Sequence, residues 1–271
     1  MPALTDVTLG RYVPADSILH RLDPRTKLVS SVALMAAVLS VPGFRALGAF
    51  GVLLAAAIAL SRLPAVLVWR NLRPFVWLFA LTVILHALLT PGTWLGTVPL
   101  LGWRVSREGL AAGAFYTLRL AAVITTASLF TLTTAPLELT SGLERLLKPF
   151  GRLGLPAHEL AMMITIALRF IPVLVDEAER LRRAQLARGA DFSGGLLRRT
   201  RQLVPLLVPL FVSAFERADR LALAMESRCY RGGEGRTSYH DLRFHRRDLW
   251  VGLATAAGVA GILWLRPTGV R

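Results

Sequence analysis

The chain has 271 residues, of which 54% are hydrophobic, and 32 Lys and Arg against 17 Asp and Glu give it a net charge of +15. So apolar a composition sets aside an ordinary soluble domain and places the chain in the membrane class. One cysteine, Cys229, excludes an internal disulfide.

In chain order, the N-terminal stretch MPALTDVTLGRYVPADS lacks a basic head followed by an apolar core, so a cleaved signal peptide is not expected. LHRLDPRTKL (Leu19–Leu28) follows, with Asp23 as helix N-cap and Pro24 at the first helical position. Its Arg21, Arg25 and Lys27 suit anchoring at lipid headgroups. Uncharged apolar runs then occupy Leu28–Gly43, Ala46–Ser61, Pro74–Thr90, Gly109–Thr134 and Leu249–Leu265. A spanning helix needs about 20 apolar residues, so these are the expected spans, the first two forming a tight hairpin. Arg119 falls in the middle of the fourth run with no acid near it on its own helix, so it needs another helix, a partner subunit or a lipid phosphate.

After the fourth run, Pro136 ends the span in TTAPLELTSGLERLLKPF (Thr133–Phe150). An amphipathic helix is expected next, with Ser141 and Glu144 as a capping box and Leu143, Leu146, Leu147 and Phe150 on one face. Leu155–Val175 and Leu203–Phe215 are apolar enough to resemble spans. If both crossed, seven arginines between Arg180 and Arg201 would lie outside, so long helices lying against the membrane are expected instead. Pro172, Pro205 and Pro209 should bend these helices.

With the N-terminus inside, segments 1–27, 62–73 and 135–248 are cytoplasmic and carry 26 of the 32 basic residues. That asymmetry follows the positive-inside rule and accounts for the charge without nucleic acid. The expected organisation is N-terminal spans in 1–134, a helical cytoplasmic module in 135–248, and a last span in 249–271.

Motifs for intrinsic catalysis are absent. RGGEGRTSY (Arg231–Tyr239) has neither the spacing nor the lysine of a phosphate-binding loop, and the five histidines have no metal-ligand spacing. A lipid-modifying enzyme would have only His20 with Asp23 to work with, and a permease only Arg119 and His86. No cofactor is expected.

One feature is repeated. ERLRRAQLARG (Glu179–Gly189) and DRLALAMESRC (Asp219–Cys229) align without a gap at an offset of forty. Arg180 meets Arg220, Leu181 meets Leu221, Ala184 meets Ala224 and Arg188 meets Arg228. An arginine near a helix end followed by glycine is ordinary capping. Two copies, the second with Cys229 in place of glycine, share instead a small residue beside an arginine. Small neighbours admit the helix end to a groove, and the guanidinium offers five donors to a carboxylate there. Two such ends suit a partner with two equivalent grooves.

LHRLDPRTKL, TTAPLELTSGLERLLKP, LPAHELAMMITIALRFIPVLVDEAERLRRAQLARGADF and AMESRCYRGGEGRTSY together resemble the transmembrane coupling subunit, or T component, of energy-coupling factor transporters, which are ABC-type importers of vitamins and trace metals. The resemblance covers nearly the whole chain. It implies an all-α membrane protein of about five transmembrane helices with a helical cytoplasmic coupling module containing two long coupling helices. The implied partners are two ABC ATPase subunits, a membrane-embedded substrate-binding S component and the lipid bilayer, with the N-terminus cytoplasmic at the plasma (inner) membrane. The implied ATPase contacts are Ala187, Arg188 and Gly189 on one helix, and Ser227, Arg228 and Cys229 on the other. The subunit itself is expected to be non-catalytic. The wording around AQLARGADF is closer to the shared type, which serves several S components, than to a dedicated cobalt, nickel or biotin importer.

Overall fold

A computed structural model describes residues 12–40, 43–98, 103–149, 156–190, 196–232 and 244–265. The described residues divide into two compact units, one within 10–139 and 242–271 and the other within 140–241.

The first unit holds α1 (Pro24–Ser40), α2 (Phe44–Ser61), α3 (Ala65–Leu72), a single 3-10 turn (Arg73–Phe75), α4 (Val76–Leu89), a hairpin of β1 (Trp94–Val98) and β2 (Trp103–Ser106), α5 (Arg107–Thr133), the start of α6 (Pro136–Leu147), and α9 (Arg246–Trp264). Its core joins Val38 of α1, Ala46 and Phe50 of α2 and Ile262 of α9, with Ala122 and Val123 of α5 against them. A second cluster sets Leu63 against Leu129 and Leu132 of α5.

α1 begins as its residues dictate. The Asp23 carboxylate accepts from the Arg25 N–H at 2.9 Å, and Pro24 occupies the first helical position, where a missing N–H costs nothing. The Asp248 carboxylate, 1% exposed, then ties two helix starts together. Its Oδ1 accepts from the Asp23 N–H at 2.7 Å and its Oδ2 from the His245 N–H at 2.8 Å. Lys27, just before the apolar run that starts at Leu28, is also buried. Its ammonium donates to the His20 and Thr133 carbonyls, both at 2.9 Å, joining α1 to the end of α5. Burial lowers the Lys27 pKa from its ordinary value, and the charges of Glu138, Asp248 and Asp23 oppose that shift.

α4 and α5 approach closely because α5 is small-sided there. A side chain at Gly109 would collide with the His86 carbonyl, and a Cβ at Gly113 would lie 2.9 Å from the Val83 Cα. Glycines four apart on one helix face are the usual means of bringing two membrane helices together. Ser106 caps α5, accepting from the Gly109 N–H at 3.0 Å and donating to the Thr90 carbonyl at 2.7 Å.

Several expectations are revised. The third apolar run starts earlier than Pro74: helix runs from Ala65 to Leu89, interrupted only by the 3-10 turn around Pro74, so Arg70 and Arg73 are helical. The antiparallel hairpin, which pairs Gly96 with Val105 and Val98 with Trp103, was not foreseen. Arg119 lies over two rings of its own helix, its guanidinium 4.7 Å from the Phe115 ring centroid and 5.5 Å from that of Tyr116. Among the described residues four helices are, by length and composition, able to cross a membrane: Phe44–Ser61, Val66–Leu89, Arg107–Thr133 and His158–Ala187. The first three fall on expected spans, whereas the fourth is a helix read from sequence as lying against the membrane. At 17 residues, α1 is short for a span.

The second unit holds the rest of α6, α7 (Ala157–Ala187) and α8 (Leu196–Glu226). α6 already begins at Pro136, so Ser141 and Glu144 are interior rather than a capping box. Glu144 instead pairs with His158 Nδ1 at 2.8 Å, fastening α6 to α7. Phe150 lies outside the described residues. α7 continues through Pro172, and α8 through Pro205 and Pro209.

Candidate functional site: two matched helix ends

The two copies of the repeat form the C-terminal ends of α7 and α8, and they end in the same backbone motif. At the first, the Ala190 N–H donates to the Gln185 carbonyl and the Gly189 N–H to that of Leu186, both at 3.0 Å. At the second, the Tyr230 N–H donates to the Met225 carbonyl at 3.0 Å and the Cys229 N–H to that of Glu226 at 2.9 Å. This pair of bonds defines a Schellman cap, which requires a left-handed residue at the position after the cap. Gly189 supplies it with φ +84° and Cys229 with φ +58°. Cysteine in place of glycine therefore leaves the turn unchanged, at a cost of about 1 kcal/mol for placing a Cβ in that region.

Side-chain exposure follows the same forty-residue offset. Residues 186–189 and 226–229 are exposed, while Gln185, Ala190, Met225 and Tyr230 are half-buried. Ala187 and Ser227 are equivalent in bulk, and the Ser227 hydroxyl is turned back onto the Ala224 carbonyl at 3.0 Å. Arginines further up the helices are engaged: Arg183 with Glu179 at 2.8 Å, Arg220 with Glu216 at 3.3 Å, Arg180 with Glu177 at 3.9 Å. Among the described residues, Arg188 and Arg228 make no such pair. Each guanidinium stands at the tip of its helix, where the negative end of the dipole favours a cation.

The sequence reading named all six residues of the two ends but missed the contact that relates them. Glu177 Oε2 of α7 accepts from Arg217 Nη2 of α8 at 3.3 Å. The signal was present: applying the offset of forty to Glu177 leads to Arg217. Each cap arginine lies eleven residues beyond this pair, about 16 Å along its helix.

An all-α membrane protein with two equivalent basic helix ends on paired helices is the class these observations define. The cobalt transport protein family, CbiQ, matches residues 15–239. The chain is 51% identical over 261 residues to the energy-coupling factor transporter transmembrane protein EcfT of Thermanaerovibrio acidaminovorans, covering 96% of each. It is 45% identical over 267 residues to that of Acidaminococcus fermentans, covering 97% of this chain and 98% of the relative. To that of Bacillus subtilis it is 41% identical over 265 residues, covering 97% and 99%. The chain belongs to this family, the transmembrane T component of energy-coupling factor transporters. Its relatives do not favour the alternative of a dedicated cobalt, nickel or biotin importer.

Proposed function

We propose that Ala187, Arg188 and Gly189 dock on one ABC ATPase subunit and Ser227, Arg228 and Cys229 on a second, so that ATP-driven movement of the pair reaches the membrane through α7 and α8. The observation that carries this reading is the identity of the two caps: equal turns, equal exposure and equal distance from the Glu177–Arg217 pair. A symmetric pair of sockets calls for such a symmetric pair of plugs.

In this reading the chain does no chemistry of its own, since its sequence has no phosphate-binding loop. Residues 1–134 and 249–271 sit in the plasma membrane with the N-terminus cytoplasmic, and 135–248 form the cytoplasmic coupling module. The third partner is a membrane-embedded S component, which confers the choice of vitamin or other micronutrient. An apolar stripe along α8 supports a partner or membrane face there: Val204, Leu207, Val208, Phe211, Val212 and Phe215 recur at helical spacing and all are about half exposed or more. When the ATPases close on ATP, the two caps move with them and the paired helices carry the motion as a rigid body.

Co-purification of the two ATPase subunits with Arg188→Ala, Arg228→Ala and the double variant tests the proposal. Each single change should weaken recovery of the complex and the double change should abolish uptake. If each arginine meets a desolvated carboxylate, its loss costs roughly 3–5 kcal/mol; a rim contact costs about 0–1 kcal/mol. Full recovery and normal uptake by the double variant would reduce the two ends to ordinary helix caps.

A further inference from the structure

We infer that the first unit carries a binding site for one anionic phospholipid, with the headgroup phosphate held by Arg62 and Arg247 and an acyl chain in the cleft beside them.

Two adjoining cavities carry the inference. The first, about 320 Å³, is lined by Arg21, Arg62 and Arg247, with Asp16 as its one acid and Leu60 on its wall. Asp16 is already satisfied, because Arg21 Nη2 donates to both its oxygens, at 2.8 and 3.0 Å. That pair is neutral, so Arg62 and Arg247 leave the cavity with an uncompensated charge of two. Among the described residues neither makes an ion pair. The second cavity, about 290 Å³, lies among α1, α2, α5 and α9 and is lined mainly by aliphatic side chains such as Leu34 and Leu53, with the Phe130 ring beside them and Lys27, whose ammonium is already held by two carbonyls, on its wall. Leu60 borders both cavities.

The backbone at Arg62 is a separate observation. Arg62 has φ +53°, the left-handed conformation that glycine adopts without penalty. Its neighbours hold it there. Ser61 is fully buried and Leu63 is 6% exposed, and the Ser61 hydroxyl accepts from the Leu63 N–H at 3.3 Å. A cap alone would be better made by glycine, so the side chain is what this position retains.

Depth in the bilayer agrees. Phe44–Ser61 is long and apolar enough to span, so Arg62, the next residue, falls at headgroup level. Basic pockets between membrane helices at that level suit lipid phosphate. A soluble phosphate would use the arginines but not the apolar cleft, and the apolar cavity that borders the same Leu60 side chain is what favours a lipid.

The site depends on the chain being a membrane protein and not on what docks at Arg188 and Arg228, so the isolated full-length chain tests it alone. The chain would be purified from mixed vesicles of phosphatidylglycerol and phosphatidylcholine, and the lipid that stays bound identified by native mass spectrometry. Wild type should retain phosphatidylglycerol in preference. Each of Arg62→Gln and Arg247→Gln should lower that preference about fivefold. Arg62→Gly guards against misfolding: it relieves the backbone while removing the charge, so thermal stability in detergent should hold or rise as lipid preference falls. Millimolar inorganic phosphate should not displace the bound lipid. Equal retention of the two lipids by wild type, an unchanged preference in Arg62→Gly and Arg247→Gln, or displacement by phosphate would each overturn the proposal.

Discussion

Glu177 and Arg217 meet at 3.3 Å across α7 and α8, and they are forty residues apart, the same offset that superimposes the two helix ends. Two copies of a helix that touch at equivalent positions extend equally on either side of the contact. The pair thus acts as the reference point from which both caps are measured. Glu177 and Arg217 side chains are 20% and 34% exposed, so the charge pair itself is worth only about 0.5–1 kcal/mol. Its importance is in position more than in strength.

Reversing the pair should therefore be tolerated where breaking it is not. Glu177→Arg alone sets two cations together and should lower the thermal stability of the purified chain. Adding Arg217→Glu should restore most of the loss, with a coupling of about 0.5–1 kcal/mol in the double-mutant cycle. Strict additivity of the two changes would mean that the helices are held together elsewhere.

Cys229 stands where glycine is easiest. Cys229→Gly should stabilise the end of α8 by about 1 kcal/mol, offset in part by the greater freedom of glycine in the unfolded chain. Cys229→Val, branched at Cβ, should destabilise it, since branched residues are genuine outliers at positive φ. Hydrogen exchange of the Tyr230 amide, which donates to Met225 at 3.0 Å, reports on this turn directly. Faster exchange in Cys229→Gly than in wild type would contradict the assignment of strain.

Asp248 offers its two oxygens to two backbone donors, at 2.7 and 2.8 Å, in a site 1% exposed. Asp248→Asn keeps one acceptor and points an amide N–H₂ at the other donor. The chain should lose about 1–3 kcal/mol, read as a drop in thermal unfolding temperature in detergent. Asp248→Ala leaves both donors unpaired and should lose more. If Asn were fully tolerated, water would have to reach the site.

Gly113 allows α5 to lie against the α4 backbone, and a Cβ there would sit 2.9 Å from the Val83 Cα. Gly113→Leu should force the two helices apart and destabilise the first unit by about 1–3 kcal/mol or more. Gly252 of α9 has nothing within 4 Å of where its Cβ would be, so Gly252→Ala is the matched control and should be neutral or slightly stabilising. Helix propensity favours both replacements over glycine, so a Gly113→Leu variant as stable as wild type would mean that the close approach to α4 is not needed.

What was legible in the sequence follows from the range over which each interaction acts. The N-cap at Asp23 and the end of the fourth apolar run before Pro136 depend on neighbours one or two residues away. The repeat was visible because the offset contains no gap. The ring faces that Phe115 and Tyr116, four and three residues earlier, offer Arg119 follow from helical spacing, but a search for acids alone does not find them. Glu144 looked like a cap because Ser141 precedes it by three, but its partner His158 comes from another helix. The hairpin at Trp94–Ser106 escaped notice because its strands are four and five residues long in a chain dominated by helical runs. The left-handed backbone of Cys229 and Arg62 could not be read from residue type, since both are residues that usually avoid it.

Cys229 is the single thiol of the chain, and it is exposed. Two independent parts of the functional reading make demands on it. The proposed orientation requires it to be inside the cell, because placing segment 135–248 outside would export 19 of the 32 basic residues. The repeat puts it beside Arg228, at the helix end proposed to be covered by an ATPase subunit. A membrane-impermeant maleimide should therefore leave Cys229 unlabelled in intact cells and label it in inside-out vesicles stripped of ATPases. Arg188→Ala should not change that labelling, since the other cap is on a different helix. Restoring the ATPases should slow it, and Arg228→Ala should return part of the lost rate by loosening the covering subunit. Labelling from outside intact cells would reverse the orientation. Equal rates with and without ATPases would keep the orientation and remove Ser227, Arg228 and Cys229 from the interface, leaving the matched cap of α8 without the role proposed for it.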